Sequence, residues 1–323
     1  MQGKVMPEQG AMPSVYVGID VCKERLDVYL HPIGRSLAVA NDSGGWRRLK
    51  RALADHQVAG VVMEATSKYH RAAHRSLAAS GFAVAVVNPL RARLFAEACG
   101  ALAKTDRIDA KMLALMADRL NPAVTPPARE AVETLQELTR ARSAAIAEGV
   151  AIKLRRESAT CTFLRAELVR RMRAIDTHVA RLEAEIARVI AADDALTQRQ
   201  SILRSIPGFG PVVVTAILAG LDEIGSLDGK QAAALAGLAP FAADSGPRNG
   251  LRRIRGGRPA LRTALYMAAL SASRCNPDLA SFYQRLLASG KAKKLALIAV
   301  ARKLVILANT IVSQNRPWLP ITA

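Results

Sequence analysis

Residues 15–30 read VYVGIDVCKERLDVYL. Two runs of β-branched and aromatic residues flank a polar break at Cys22–Arg25, which predicts a β-hairpin. Asp20 falls at the end of its first strand. Downstream, the polar turn NDSGG (41–45) leads into an amphipathic stretch from Trp46 to His56, and VAGVVM (58–63) is an apolar strand run that ends at Glu64. Tyr69 to Ser80 predicts a helix, FAVAVVN (82–88) a further buried strand, and Pro89 opens a helix running toward Cys99. Strands alternating with helices imply an α/β layer fold. It is assigned to residues 15–125, after a short leader at 1–14.

From about Glu130 to Arg204 the strand signals vanish and charged, Ala- and Leu-rich sequence takes over. Leu168, Met172, Ile175, Val179, Leu182, Ile186 and Val189 are spaced 4, 3, 4, 3, 4, 3, a heptad seam. Three heptads fit a helical hairpin packed within one chain and an intermolecular coiled coil equally, and residues 126–200 are assigned to this helical region. Residues 201–323 read as a mainly α domain. At its start, SIPGFGP (205–211) has the spacing of a helix-hairpin-helix turn, in which Gly208 and Gly210 let backbone N–H groups approach a phosphate. A Gly/Pro loop between two buried helices accounts for the same residues. Asp244 to Arg262 is a second Gly-rich polar stretch, with six arginines: Arg248, Arg252, Arg253, Arg255, Arg258 and Arg262.

The 323 residues are half apolar, enough for two domains with cores of their own. The formal charge is +19. From Ser245 onward fourteen Lys or Arg stand against one acid, Asp278, which puts +13 of that charge in the last quarter. Such a footprint calls for a polyanion, nucleic acid or an anionic membrane. With aromatics at only 4%, contact with nucleic acid should rest on Arg and Lys more than on stacked rings. Cys22, Cys99, Cys161 and Cys275 lack metal-site or disulfide spacing, which fits a reducing, cytosolic setting. The first residues lack the apolar core of a signal peptide. The apolar run Leu295–Val312 is broken by Arg302 and Lys303, so a soluble protein without a bilayer-spanning helix is expected.

Asp106 and Asp109 lie in KTDRIDAKMLALMADR, where a separation of three places both carboxylates on one helix face. They suit a shared metal ion; equally, Asp106 can cap the helix with Asp109 at its positive end. Asp20 can be a turn residue, and Glu64 can cap the helix after it together with Thr66. What favours a site is convergence: two acids at strand ends beside a helical acid pair match the plan of RNase H-like nucleases, where a divalent cation relieves the repulsion among carboxylates. Ser245, before Gly246, would offer a hydroxyl to phosphate amid positive charge, although Ser-Gly is also a common turn pair. His70 and His74, at i and i+4 beside Arg71 and Arg75, read as a solvated helix face.

Taken in order, GIDVCK (18–23), EATSKY (64–69), Asn88-Pro89 followed by FAEACGALAKTDRIDAKMLA (95–114), SIPGFGP, LAGLAPFAADSG (235–246) and GGRPALRTALYMAAL (256–270) resemble the DEDD-type transposases of the insertion-sequence-110 family, relatives of the pilin-gene invertases. The resemblance runs from Tyr16 onward. It implies an RNase H/RuvC-like domain joined to a helical coiled coil and a C-terminal transposase domain, moving an insertion element by site-specific recombination. It matches Asp20, Glu64, Asp106 and Asp109 to an acidic tetrad that binds Mg²⁺, with Mn²⁺ equally suited to such ligands. Ser245 matches the serine that forms a covalent phosphoserine link to DNA. The resemblance also implies a structured bridge RNA pairing with donor and target DNA, with the protein reading backbone and shape. The helices between tetrad and serine make supply of Ser245 by another subunit of a dimer or tetramer an expectation, in a prokaryotic, nucleoid-associated setting. Three departures stand out: Ser67 where the family usually has glycine, Cys22 where serine is common, and Arg255-Gly256-Gly257-Arg258 in place of a Ser-Lys pair. Two rival readings remain, a metal-dependent nuclease with water as the nucleophile and a non-enzymatic nucleic-acid-binding protein.

Overall fold

The computed structural model describes residues 14–101, 106–242, 250 and 252–320. The chain divides into two compact units, Met1–Ala128 and Arg129–Ala323.

The first unit is built on a five-stranded mixed sheet of order β3-β2-β1-β4-β5. β1 (Val15–Val21), β2 (Arg25–His31) and β3 (Arg35–Ala40) form an antiparallel meander, and β4 (Val58–Glu64) and β5 (Val84–Val87) continue it in parallel with β1. The strand period of two sorts β1: Val15, Val17, Ile19 and Val21 enter a core with Leu26, Leu30, Leu49, Leu53, Met63 and Leu77. The opposite sheet face packs Val62, Ala85 and Val87 against Leu113, Met116 and Ala117. Those last three belong to α4 (Asp106–Leu120); α1 (Ser43–Ala54), α2 (His70–Ala78) and α3 (Pro89–Ala98) complete the unit. Asp42 caps α1 through Gly45 N–H, and Asn88 caps α3 with Pro89 at its first position. β3 is the strand the sequence does not announce, since only Val39 among its residues is buried.

Beyond α4 the chain returns along β5. Thr125 N–H donates to Val84 O (2.9 Å), Thr125 Oγ1 accepts from Val86 N–H (3.0 Å), and Thr125 O lies 2.9 Å from His74 Nε2. His74 is only 5% exposed. The reading of His70 and His74 as a solvated face therefore fails at His74, whose partner comes from a segment 51 residues away.

The second unit is helical: α5 (Glu130–Ser158), α6 (Thr162–Ala191), α7 (Asp194–Arg204), α8 (Pro211–Gly220), α9 (Gly229–Leu235), α10 (Pro259–Cys275), α11 (Pro277–Ala288) and α12 (Lys293–Ser313), with a two-stranded hairpin of β6 (Pro240–Phe241) and β7 (Arg253–Ile254). α5 and α6 run alongside each other, tied by Arg142–Glu183 (2.7 Å) and Arg171–Glu148 (3.3 Å). The heptad residues Met172, Ile175 and Val179 line a groove of about 370 Å³ with Ile146 and Val150 of α5, so this seam faces a helix of its own chain. Leu168, Ile186 and Val189 of the seam are buried. By length and composition α12 is apolar enough to cross a membrane. Val300, Ala301, Leu304, Val305, Ala308 and Ile311 instead fill the helical core with Val214, Ile217, Leu265 and Ala269.

A close contact in the first unit seats a helix on the sheet. A Cβ on Gly18 of β1 would lie 2.0 Å from Ala110 O and 2.3 Å from Ala114 N, so the backbone of α4 rests directly on the strand. Gly18→Ala must push helix and sheet apart. The expected cost is about 3 kcal/mol, at the top of the usual range for overpacking. Urea unfolding of the full chain measures it, and a midpoint unchanged from wild type would refute this packing.

Candidate active site

β1 and β4 are adjacent and parallel, with Ile19 paired to Met63, so Asp20 and Glu64 each follow the last registered pair at the same end of the sheet. Asp20 shares the face of Gly18, the face covered by α4. Asp109 precedes Ala110, the residue whose carbonyl lies against Gly18. Asp20, Glu64 and Asp109 are all half-buried. The fold thus brings three of the four acids to one edge region. The side chain of Asp106 lies outside the described residues.

Carboxylate oxygens are the donors a hard divalent cation takes. Among the described residues, no three His, Cys, Asp or Glu side chains form a group that could hold a metal ion. The donor chemistry fits such an ion, whereas Asp20, Glu64 and Asp109 do not by themselves close a three-ligand cluster.

Two residues that sequence reasoning missed stand beside these acids. Asp27 is paired directly across from Asp20, and its carboxylate accepts from Arg25 Nε at 2.8 Å. Asn41 donates through Nδ2 to Cys22 O (2.9 Å) and Tyr69 O (3.1 Å), while its Oδ1 accepts from Trp46 Nε1 (2.9 Å). It therefore straps the loop after Asp20 to the segment after Glu64. The only sequence mark of Asn41 was its place in a polar turn.

In that segment, Ser67 has φ +48°. A left-handed backbone costs an L-residue roughly 1–2 kcal/mol, which explains why glycine suits this position. Ser67→Gly relieves the strain and loosens the unfolded chain, so a net gain of about 0.5 kcal/mol is expected. Thermal unfolding should show a small rise in melting temperature; a fall would mean that the Ser67 side chain supports the turn.

In the second unit the glycine turn is largely closed. Ile206 and Phe209 are buried, and Gly208 at φ +102° would place a Cβ 2.7 Å from that of Ala272 on α10. The close approach at Gly208 is thus to a helix of the same chain. Gly210, the N-cap of α8, is exposed with open space around its Cα.

The arginines differ in exposure and in contacts. Arg258 donates to both carboxylate oxygens of Glu223 (2.6 and 2.8 Å) and to Gly220 O (2.7 Å), and Arg262 Nη1 donates to Gly256 O (2.9 Å). Both hold the loop together. Arg252, Arg253 and Arg255 are exposed, and the Arg255 guanidinium lies 5.7 Å from the Phe241 ring centroid. Ser245 and Arg248 lie outside the described residues.

Burial pushes the Glu223 carboxyl up, but the hydrogen bonds and charge of Arg258 outweigh it and hold the group below its ordinary value. A depressed carboxyl contributes stability above its unfolded pKa and loses it as pH falls through the folded one. The melting temperature of wild type should therefore exceed that of Glu223→Gln above the ordinary 4.5, with the difference closing at lower pH. A difference that widens on acidification would contradict this clamp.

A family model described as "Transposase" matches residues 17–161, and one described as "Transposase IS116/IS110/IS902 family" matches residues 200–284. The chain belongs to this family of transposases, enzymes of DNA transposition and recombination. Its relatives include the "Pilin gene-inverting protein" of Moraxella bovis, 28% identical over 318 residues that span 95% of this chain and 98% of that one. The "Insertion element IS900 uncharacterized 42 kDa protein" of Mycobacterium paratuberculosis is 32% identical over 141 residues, 43% of this chain and 34% of its own. The "Insertion element IS116 uncharacterized 44.8 kDa protein" of Streptomyces clavuligerus is 31% identical over 146 residues, 45% of this chain and 36% of its own.

Proposed function

We propose that this protein is a site-specific recombinase that cuts and rejoins DNA at insertion-element ends and at a target. Asp20, Glu64, Asp106 and Asp109 would hold Mg²⁺, or Mn²⁺, between them. When bound, the ion supplies Lewis-acid stabilisation of charge on the phosphate under attack. The observation that carries the reading is the placement of Asp20 and Glu64 at one end of adjacent parallel strands, with the helix of Asp109 seated on the same sheet.

Ser245 is the nucleophile in this reading. Its Oγ forms an ester to phosphorus as the phosphorus–oxygen bond to the leaving deoxyribose breaks with its electron pair, and the proton lost by the serine hydroxyl is balanced by one gained by the leaving oxygen. The bond count at phosphorus is conserved, so rejoining needs no external energy source. The basic last quarter of the chain draws in the polyanion, and Arg252, Arg253 and Arg255 supply its exposed charge near the serine in sequence. A structured RNA encoded by the element would choose the DNA by base pairing, leaving the protein to contact backbone. Homo-oligomers bring a serine from one subunit to a tetrad of another.

The test is a denaturing gel of full-length protein with Mg²⁺, labelled element-end DNA and the element's flanking noncoding RNA. A DNA-linked protein band is expected from wild type and from neither Ser245→Ala nor Asp20→Ala, with cleavage down at least 10²-fold in both. Free nicked DNA from Ser245→Ala would transfer the attack to water and establish the hydrolytic rival. Activity surviving Asp20→Ala would remove the metal site from the mechanism.

A further inference from the structure

Phe241 leaves 44% of itself in water. The chain has only six phenylalanines, and a cation resting over an exposed ring stabilises it less than burial would. Folding therefore gives little reason for a phenylalanine here.

Its neighbours suggest another. In the antiparallel hairpin Phe241 pairs with Arg253, so the two side chains share a face. Arg255, the residue just after β7, lays its guanidinium over the ring, 5.7 Å from the centroid. Ile254, between the two arginines, is half-buried. The outcome is one exposed ring flanked by two exposed guanidinium groups. Arg258 and Arg262 are committed to carboxylate and carbonyl partners, whereas Arg253 is paired with Phe241 across the strands and Arg255 rests on its ring.

We infer that Phe241, Arg253 and Arg255 form a stacking platform for an unpaired DNA base, the ring taking the face of the base and the guanidinium groups its flanking phosphates. The deduction rests on the recombinase reading above, since strand exchange must expose unpaired bases. A paired base keeps both faces covered by its neighbours and offers the ring nothing, whereas an unstacked base gains a π-face and two charge-assisted contacts. The charge of the whole last quarter favours a polyanion over a protein partner. Phe241 lies four residues before Ser245, which ties the platform in sequence to the proposed point of attack.

Fluorescence anisotropy of full-length protein with a labelled single-stranded DNA, its duplex and the RNA of the same sequence tests this. Phe241→Ala should bind single-stranded DNA about tenfold more weakly, the loss of one stacked base, while duplex affinity stays within about twofold. Phe241→Trp should restore binding, and its emission should be quenched by single-stranded DNA beyond the wild-type response. Arg253→Ala should weaken all DNA binding and lower the salt slope on single strands by about 0.7, one phosphate contact. Equal losses on single strand and duplex, unchanged single-strand affinity, or a loss confined to RNA would each overturn the platform. Quenching of Phe241→Trp is independent of whether the alanine variant folds. A wild type that forms the DNA-linked band while Phe241→Ala keeps full single-strand affinity refutes the platform alone; absence of the band refutes the recombinase reading.

Discussion

The first unit depends on the seating of α4 against β1. With no side chain at Gly18, the helix backbone approaches to a distance at which a single methyl group would collide with Ala110 O and Ala114 N. Close-packed interiors transmit such a displacement to everything resting on them. Leu113, Met116 and Ala117 cover the sheet through this contact, and Asp109 is held over the strand that bears Asp20. The stability of the sheet and the placement of Asp109 above β1 are therefore one constraint.

Much of this unit is legible in the sequence because its elements are local. The hairpin of β1 and β2, the runs of β4 and β5, and helices opened by Asp42 or by Asn88-Pro89 carry their periods and caps within a dozen residues. β3 is not legible, because its alternation is confined to Leu37 and Val39 among small or polar neighbours and only Val39 is buried. The same holds for β6 and β7, two residues each, which vanish inside a glycine-rich stretch. His74 misleads because its partner arrives from Thr125, across half of the unit.

The candidate site divides in the same way. Carboxylates at strand ends can be located from the strand pattern alone. Asn41 cannot, since it acts by joining Cys22 to Tyr69, positions 19 and 28 residues away. The arginine stretch is a stronger case. Read as sequence, its six cations are equivalent; in three dimensions Glu223, 35 residues earlier, claims Arg258, and a glycine carbonyl claims Arg262. Counting basic residues measures attraction to a polyanion, while their intramolecular partners decide which of them can contact it.

The return of the chain along β5 has a bearing on self-association. Thr125 occupies backbone groups of Val84 and Val86 that would otherwise line the rim of the sheet. A foreign strand cannot add there without first displacing it, which leaves β3 as the outer strand at the opposite rim. β3 is short and begins with the exposed, charged Arg35, two properties that discourage strand addition. A sheet closed at one rim and poorly adhesive at the other discourages copies of this protein from polymerising through their own backbones.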